Sequence, residues 1–311
     1  MHSEVDVNSW EPADEETIGT KPKQWLYEPG SGSRRRWLWK ERTYNPAKGE
    51  QSQYPKGDDW AECVASDLGR QLGVPTPTVE LATRKEVPGT IALDFTANLA
   101  ASELHLGNEL IAAIDSSYPS GLLRNDPRYT LEVSIRALQD VDPPEQHELL
   151  RTARDWFAGY LLLDAWIGNT DRHHQNWGAV LAPSLNRQIL APSFDHASSL
   201  GFLLSDEERA ERLAAAPGSG RDVETWADRA PTPFADCRHP ADAALRTLEI
   251  LDPTVSMHWL EALSRAAPGT GPILGSIPES RISERSKDFA LRMLGHNASR
   301  LLSAGGFRMS E

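Results

Sequence analysis

Gly168-Asn169-Thr170-Asp171-Arg172-His173-His174-Gln175-Asn176-Trp177, followed by Ser193-Phe194-Asp195-His196, is the stretch whose reading decides the fold. An Asp, an Asn later in the same loop and a second Asp beyond a hairpin are the polar groups needed to orient an acceptor hydroxyl and hold Mg²⁺ on a nucleoside triphosphate. The first carboxylate takes or orients the hydroxyl proton. The amide and the second carboxylate supply hard oxygen ligands to an ion that keeps several waters and bridges phosphates. Between Asn176 and Asp195, Trp177-Gly178-Ala179-Val180-Leu181 and Gln188-Ile189-Leu190-Ala191 read as short apolar strands about the turn Ala182-Pro183-Ser184-Leu185-Asn186.

Taken singly, each of these side chains is an ordinary cap or Asx-turn residue. Their order and spacing, with a hairpin between, favour chemistry. His173, His174 and His196 raise a zinc-hydrolase alternative. Against it stand the adjacency of His173 and His174, which points them in different directions, and the lack of an H-E-x-x-H pattern or a Cys pair. His173 reads as a packed residue that braces the loop.

This segment resembles the HipA-like serine/threonine kinases and, more distantly, the phosphatidylinositol kinases. The resemblance lies in the loop Asp171-Arg172-His173-His174-Gln175-Asn176 and in the metal motif Phe194-Asp195-His196, entered through Ala191-Pro192-Ser193. Ordinary eukaryotic kinases differ, because here Arg-His follows the catalytic Asp and no Gly follows Asp195. The resemblance implies an α+β, protein-kinase-like bilobal fold, with a small β-rich N-lobe carrying one key helix and a larger, mainly helical C-lobe. It also implies ATP and Mg²⁺ as cofactors, Asp171 as the base, and Asn176 and Asp195 as metal ligands.

Composition agrees with one such unit. At 311 residues, 39% hydrophobic and 25% charged, the chain can bury a substantial core. No apolar run is long enough to span a bilayer and Met1 to Asp14 has no signal core, so a cytoplasmic location is expected. The formal charge of −13 opposes generic binding to nucleic acid or an acidic membrane surface. Cys63 and Cys237 are too few for a disulfide framework, and Arg34-Arg35-Arg36 reads as a solvated hairpin end.

Outward from the motif, the expected organisation is a flexible N-terminus over 1–14, an N-lobe over 15–100, a C-lobe over 101–302 and a frayed tail over 303–311. Gln24 to Glu28 and Arg36 to Lys40 form a hairpin, and Tyr44 to Lys56 is a polar loop. Asp58 or Asp59 caps a helix whose Trp60, Val64, Leu68 and Leu72 repeat until Gly73, and Val79 to Thr83 and Thr90 to Leu93 add strands. Asp142-Pro143 reads as the cap and first turn of the apolar helix that Gly168 ends. Further helices are expected over Ala241 to Leu251, His258 to Ala266 and Ile282 to Leu302.

On this plan Lys40 ends the strand before the helix, where the resembled kinases hold the ATP phosphates, and Glu62 lies in that helix, where it would pair with Lys40. The phosphate loop is expected at Thr17 to Lys23, with backbone amides about Gly19 and Thr20 and the side chains of Lys21 or Lys23 around phosphate oxygens; Gly30 to Ser33 is the rival. Asp94 and Phe95 form the hinge that would meet adenine. The reading is an ATP- and Mg²⁺-dependent kinase acting on serine or threonine of a protein, able to phosphorylate itself at Thr17 or Thr20. A lipid or small-molecule kinase and a catalytically silent binding module are the alternatives. The resembled family includes toxin kinases paired with an antitoxin, so a regulator of that type joins the protein substrate among the partners it allows. The chain's length leaves little room for the extra N-terminal domain of longer members.

Overall fold

A computed structural model describes residues 2, 4–15, 23–31, 35–46, 53–96, 102–119, 121, 126–182 and 187–306. Among them the strands are β1 (Val5–Asp6), β2 (Glu11–Glu15), β3 (Lys23–Tyr27), β4 (Arg36–Glu41), β5 (Tyr44–Asn45) and β6 (Tyr54–Pro55). Helix α1 (Asp58–Leu72), β7 (Val79–Arg84), β8 (Val87–Leu93) and β9 (Glu103–Leu106) follow. Then come α2 (Gly107–Ile114), α3 (Leu131–Ala137), α4 (Ala153–Ile167), β10 (Gly178–Ala182) and β11 (Arg187–Leu190). The rest is helical: α5 (Asp206–Ala214), α6 (Val223–Asp228), α7 (Pro240–Ile250), α8 (Pro253–Ala266), α9 (Thr270–Gly275) and α10 (Glu284–Ala304).

The main sheet runs β1-β7-β8-β4-β3-β2, antiparallel except for the parallel pair of β1 and β7. Alternation along Arg36-Trp37-Leu38-Trp39-Lys40 sets its two faces. Trp37 and Trp39 join Val7, Leu26, Ala82 and Ile91 in a small cluster on one side, while Arg36, Leu38 and Lys40 line a cleft on the other. A far larger core includes Trp60, Val64, Leu68 and Leu72 of α1 together with the apolar side chains of α4, α8 and α10. Helix α1 therefore shares its packing with the helical region. The expected hairpin before Asp195 is β10 with β11, Ala179 opposite Leu190, and β9 adds a third strand to it.

Several expectations are corrected. The N-terminus is not a flexible tail: Val5 and Val7 alternate with polar residues, β1 pairs with Ala82 and Thr83, Val7 is fully buried, and His2 bonds to Asp67 at 2.7 Å. The segment from Tyr44 to Lys56 contains the pair β5 and β6. The N-cap position of α1 is Gly57; Asp58 bonds to Thr43, while Asp59 gives one oxygen to Arg42 and the other to the Trp60 N–H at 2.8 Å. The long apolar helix starts at Ala153. Asp142 instead exchanges backbone hydrogen bonds with Gln188 and Leu190 at the sheet edge, and Thr152 with Asp155 forms the capping box that begins α4. The loop residues Thr17, Gly19, Thr20 and Lys21, the turn 183–186 and the end of the tail lie outside the described residues.

Helix α4 meets α8 through Gly159, where an added Cβ would fall 2.4 Å from the buried ring of Trp259. That ring is pinned by its Nε1–H, which donates to Asp155 O at 2.8 Å. Gly159→Ala gains up to about 1 kcal/mol in helix propensity but overpacks by about 1–3 kcal/mol. A net loss of stability is expected, read as a lower urea midpoint at unchanged slope.

Candidate active site

The loop carrying Asp171 and Asn176 is built from the end of α4. Gly168 terminates that helix in the left-handed region at φ +64°, a conformation suited to glycine. Asn169 N–H then bonds back to Asp164 O at 2.8 Å, Asn169 Nδ2 donates to Asp164 Oδ1 at 2.8 Å, and Asp171 N–H donates to Asn169 Oδ1 at 3.1 Å. His173 N–H donates to Asp171 O and Asn176 N–H to His173 O, both at 2.8 Å. Asn176 Nδ2 closes the loop on Asp171 O at 2.7 Å, and Asn176 also lines the cleft. The Asp-to-Asn spacing is thus the span of one tight double turn.

Arg172 holds this loop to everything around it. Its guanidinium is 1% exposed and donates to Asp164 through Nε at 2.6 Å and Nη2 at 2.8 Å, to Ser193 Oγ at 2.9 Å, and to the carbonyl oxygens of Asn176 and Phe194. Ser193 Oγ in turn meets His196 Nε2 at 2.8 Å, and His196 Nδ1 lies 4.0 Å from Glu62 Oε1. One buried polar chain therefore joins α4, the loop carrying Asp171, the segment around Asp195 and α1. Arg172 stands in the sequence motif, but its anchoring role was not legible there. The available signal was Asp164, the sole charge in the run from Phe157 to Ile167.

Asp195 sits at φ +58°, a left-handed conformation that Asp enters more readily than most residues, though still at a cost. Its carboxylate faces two lysines. Lys40 Nζ donates to Oδ1 at 3.0 Å, and Lys23 Nζ lies 3.9 Å from Oδ2. The register of β3 and β4 puts Lys23 directly opposite Lys40. Like charges so placed repel, and an anion between them offsets the repulsion. Burial pushes the Lys40 ammonium towards neutrality, but Asp195 and Glu62 outweigh it and raise its pKa above the ordinary value.

The expected bond between Lys40 and Glu62 is replaced: Lys40 bonds to Asp195, and Glu62 acts on it through space. Glu62 is 5% exposed, its Oε2 has no hydrogen-bond partner among the described residues, and burial raises its pKa. Asp94 also differs from a bare hinge. Its N–H is spent on Arg36 O at 3.0 Å, and its carboxylate binds Arg36 Nη2 at 2.6 Å and Thr96 N–H at 2.8 Å. Phe95 stacks on Phe194 with ring centroids 5.8 Å apart. Lys23, Lys40, Glu62, Asp94, Phe95, Asp171, Asn176 and Asp195 all line one cleft of about 740 Å³ between the sheet and the helical region.

The three motif histidines do not converge. His174 Nδ1 meets Tyr118 OH at 2.7 Å, His196 turns to Ser193, and His173 Nδ1 accepts from Gln175 N–H at 3.2 Å while lining the cleft. Among the described residues no cluster of three or more His, Cys, Asp or Glu side chains is arranged to hold a metal.

No protein-family profile and no curated protein matches this chain. Solved structures do. A proinflammatory kinase of Helicobacter pylori, CtkA, superposes with a TM-score of 0.70 at 19% identity over 97% of each chain. HipA of Shewanella oneidensis MR-1, solved with HipB and operator DNA of its toxin–antitoxin system, superposes with a TM-score of 0.51 at 12% identity, over 96% of this chain and 67% of that one. The fold is that of a HipA-like kinase.

Two predictions follow from the buried polar groups. Asp164→Ala strands the Arg172 guanidinium without its counter-ion and should cost about 3–5 kcal/mol in chemical denaturation. Burial, with His173 beside it, holds His174 down to about 4, and burial with Arg172 nearby holds His196 well below its ordinary value. Both rings stay neutral in the folded chain but protonate in the unfolded chain below its ordinary value of 6.5. Their contribution is therefore complete above that pH and is lost as pH falls below it, that of His174 as pH falls towards about 4. The melting temperature should drop across that window, and His174→Phe should flatten the slope.

Proposed function

We propose that the chain is an ATP- and Mg²⁺-dependent kinase of HipA-like type that phosphorylates serine or threonine on a protein. The observation that carries this reading is the convergence of Lys23 and Lys40 on Asp195, in the cleft that also holds Asp171 and Asn176. A carboxylate and an amide oxygen are hard donors that suit Mg²⁺, which needs only one or two protein groups when phosphates and water complete its shell. Asp195 and Asn176 would hold it. Bound there with ATP, the ion supplies neutralisation of phosphate charge.

The protein's own groups supply the rest. Lys40 and Lys23 attract and orient phosphate oxygens, and the raised pKa of Lys40 keeps it charged at any physiological pH. Asp171 orients the acceptor hydroxyl and takes its proton, held in place by the Asn169 and Asn176 bonds described above. Leu38, Val79, Ala92 and Phe95 offer an apolar wall to the base. A net charge of −13 opposes approach to an anionic membrane surface and so favours a protein acceptor over a lipid. HipA is seen with HipB, and an antitoxin-type regulator is the corresponding partner in this reading.

Asp171→Ala should abolish phosphate transfer, a loss of about a hundredfold or more, while nucleotide affinity changes little, because Asp171 acts on the acceptor. Asp195→Ala should weaken Mg²⁺-ATP binding itself. Calorimetry and a radiolabel transfer assay distinguish the two; transfer that survives Asp171→Ala would sink the assignment.

A further inference from the structure

Two residues beyond Lys40 stands Arg42, and one helical turn before Glu62 stands Asp59. The two pairs run parallel between the same strand end and the same helix, yet only the outer one is bonded. Arg42 reaches Asp59 Oδ2 through Nε at 2.7 Å and Nη2 at 2.6 Å, whereas Lys40 is turned to Asp195. Arg281, from the turn before α10, completes the group. Its Nη1 donates to the same Asp59 oxygen at 3.0 Å and its Nη2 to Ala82 O at 2.6 Å and Thr83 Oγ1 at 3.0 Å, and Glu4 pairs with it at 2.7 Å. Arg42 Nη2 also donates to Arg281 O at 2.9 Å. The side chains of Asp59, Arg281 and Arg42 are 1%, 2% and 8% exposed.

We propose that Arg42, Asp59 and Arg281 are positioning residues for the phosphate site: they staple β4 to α1, and both to the helical region, so that Lys40 and Glu62 keep their places without a bond between them. The inference rests on the phosphotransferase reading and extends it. Two guanidiniums that share one buried carboxylate oxygen allow few geometries, since each must keep its partner or remain stranded in a low-dielectric interior. Arg42 transmits that constraint along two residues of strand to Lys40, and Asp59 transmits it along one turn of helix to Glu62. A displacement of about 1 Å at such a distance is enough to cost about a hundredfold in rate. With the staple bearing this load, Lys40 is free to engage Asp195 and phosphate.

The test uses the full chain with Arg42→Met, Arg42→Lys, Asp59→Asn and the double variant Arg42→Met/Asp59→Asn. Affinity for a non-hydrolysable Mg²⁺-ATP analogue is measured by calorimetry, kcat and KM by phosphate transfer, and amide exchange along α1 by mass spectrometry, at a temperature where melting curves show each variant folded. Arg42→Met and Asp59→Asn should each weaken analogue binding by about tenfold or more and lower kcat. The double variant should be no worse than the worse single one, and α1 amides should exchange faster. Arg42→Lys keeps a charge for Asp59 but loses the fork that also reaches Arg281 O, so it should recover only part of the affinity that Arg42→Met loses. Folded variants with undiminished affinity and kcat would overturn the staple alone, because a group that merely stabilises the fold leaves both untouched. A wild-type chain that binds no nucleotide would overturn the phosphotransferase reading and this proposal with it. If Asp59→Asn fails to fold, Arg42→Met decides, since Asp59 then still has Arg281.

Discussion

The ion pair of Asp164 and Arg172 is the constraint on which the rest of the site depends. An apolar helix delivers Asp164 into the interior, and a carboxylate there is tolerable only if it is met by an equally buried cation with its remaining donors satisfied. Arg172 meets that demand, and in doing so it fixes the carbonyl oxygens of Asn176 and Phe194 and the hydroxyl of Ser193. The loop carrying Asp171 and the segment carrying Asp195 are thereby held to one another through a single guanidinium. Five donors in a planar fork make arginine suited to this task, and lysine could not reproduce it.

The cleft built around that anchor is electrostatically at odds with the rest of the molecule. Its surface is acidic overall, yet Lys23 and Lys40 are brought opposite each other at its inner end. Local geometry, not net charge, decides what such a site attracts, because a cleft walled by low-dielectric protein focuses the field of the charges that line it. Asp195 faces both ammonium groups and Glu62 adds further negative potential, so the two lysines are held together by carboxylates of the same cleft.

The partition of the hydrophobic core bears on how this cleft could move. Helix α1 packs into the same core as α4, α8 and α10, and Gln71 even bonds to Ala266 O at 3.1 Å, while the outer strands of the sheet rest on a small cluster of their own. The strands that carry Lys23 and Lys40 are therefore less firmly held by packing than the helix that carries Glu62. Polar bonds make up the difference, at Asp195 and at Asp59.

Much of this was legible in the chain itself. That Asp171, Asn176 and Asp195 would meet in one cleft was legible because a turn and a hairpin fix short sequence separations in space. The same locality explains the success with α1, whose apolar period is self-contained, and the hairpin of β10 and β11. Failures occurred where a local signal met a distant competitor. Asp142-Pro143 looks like a helix start, but its backbone was claimed by the edge of β11; Asp58 looks like a cap, but Thr43 took its oxygen, and Asp59 divides its two between Arg42 and the Trp60 N–H. Val5 and Val7 are too few to announce a strand until β7 offers a ladder. The sequence by itself determined the order and separation of Asp171, Asn176 and Asp195, since these follow from covalent spacing. Only the tertiary structure decided the partners, such as Lys40 with Asp195 instead of Glu62 and Arg281 with Asp59 from 222 residues away, because buried charges choose the counter-ion that the packed core leaves within reach.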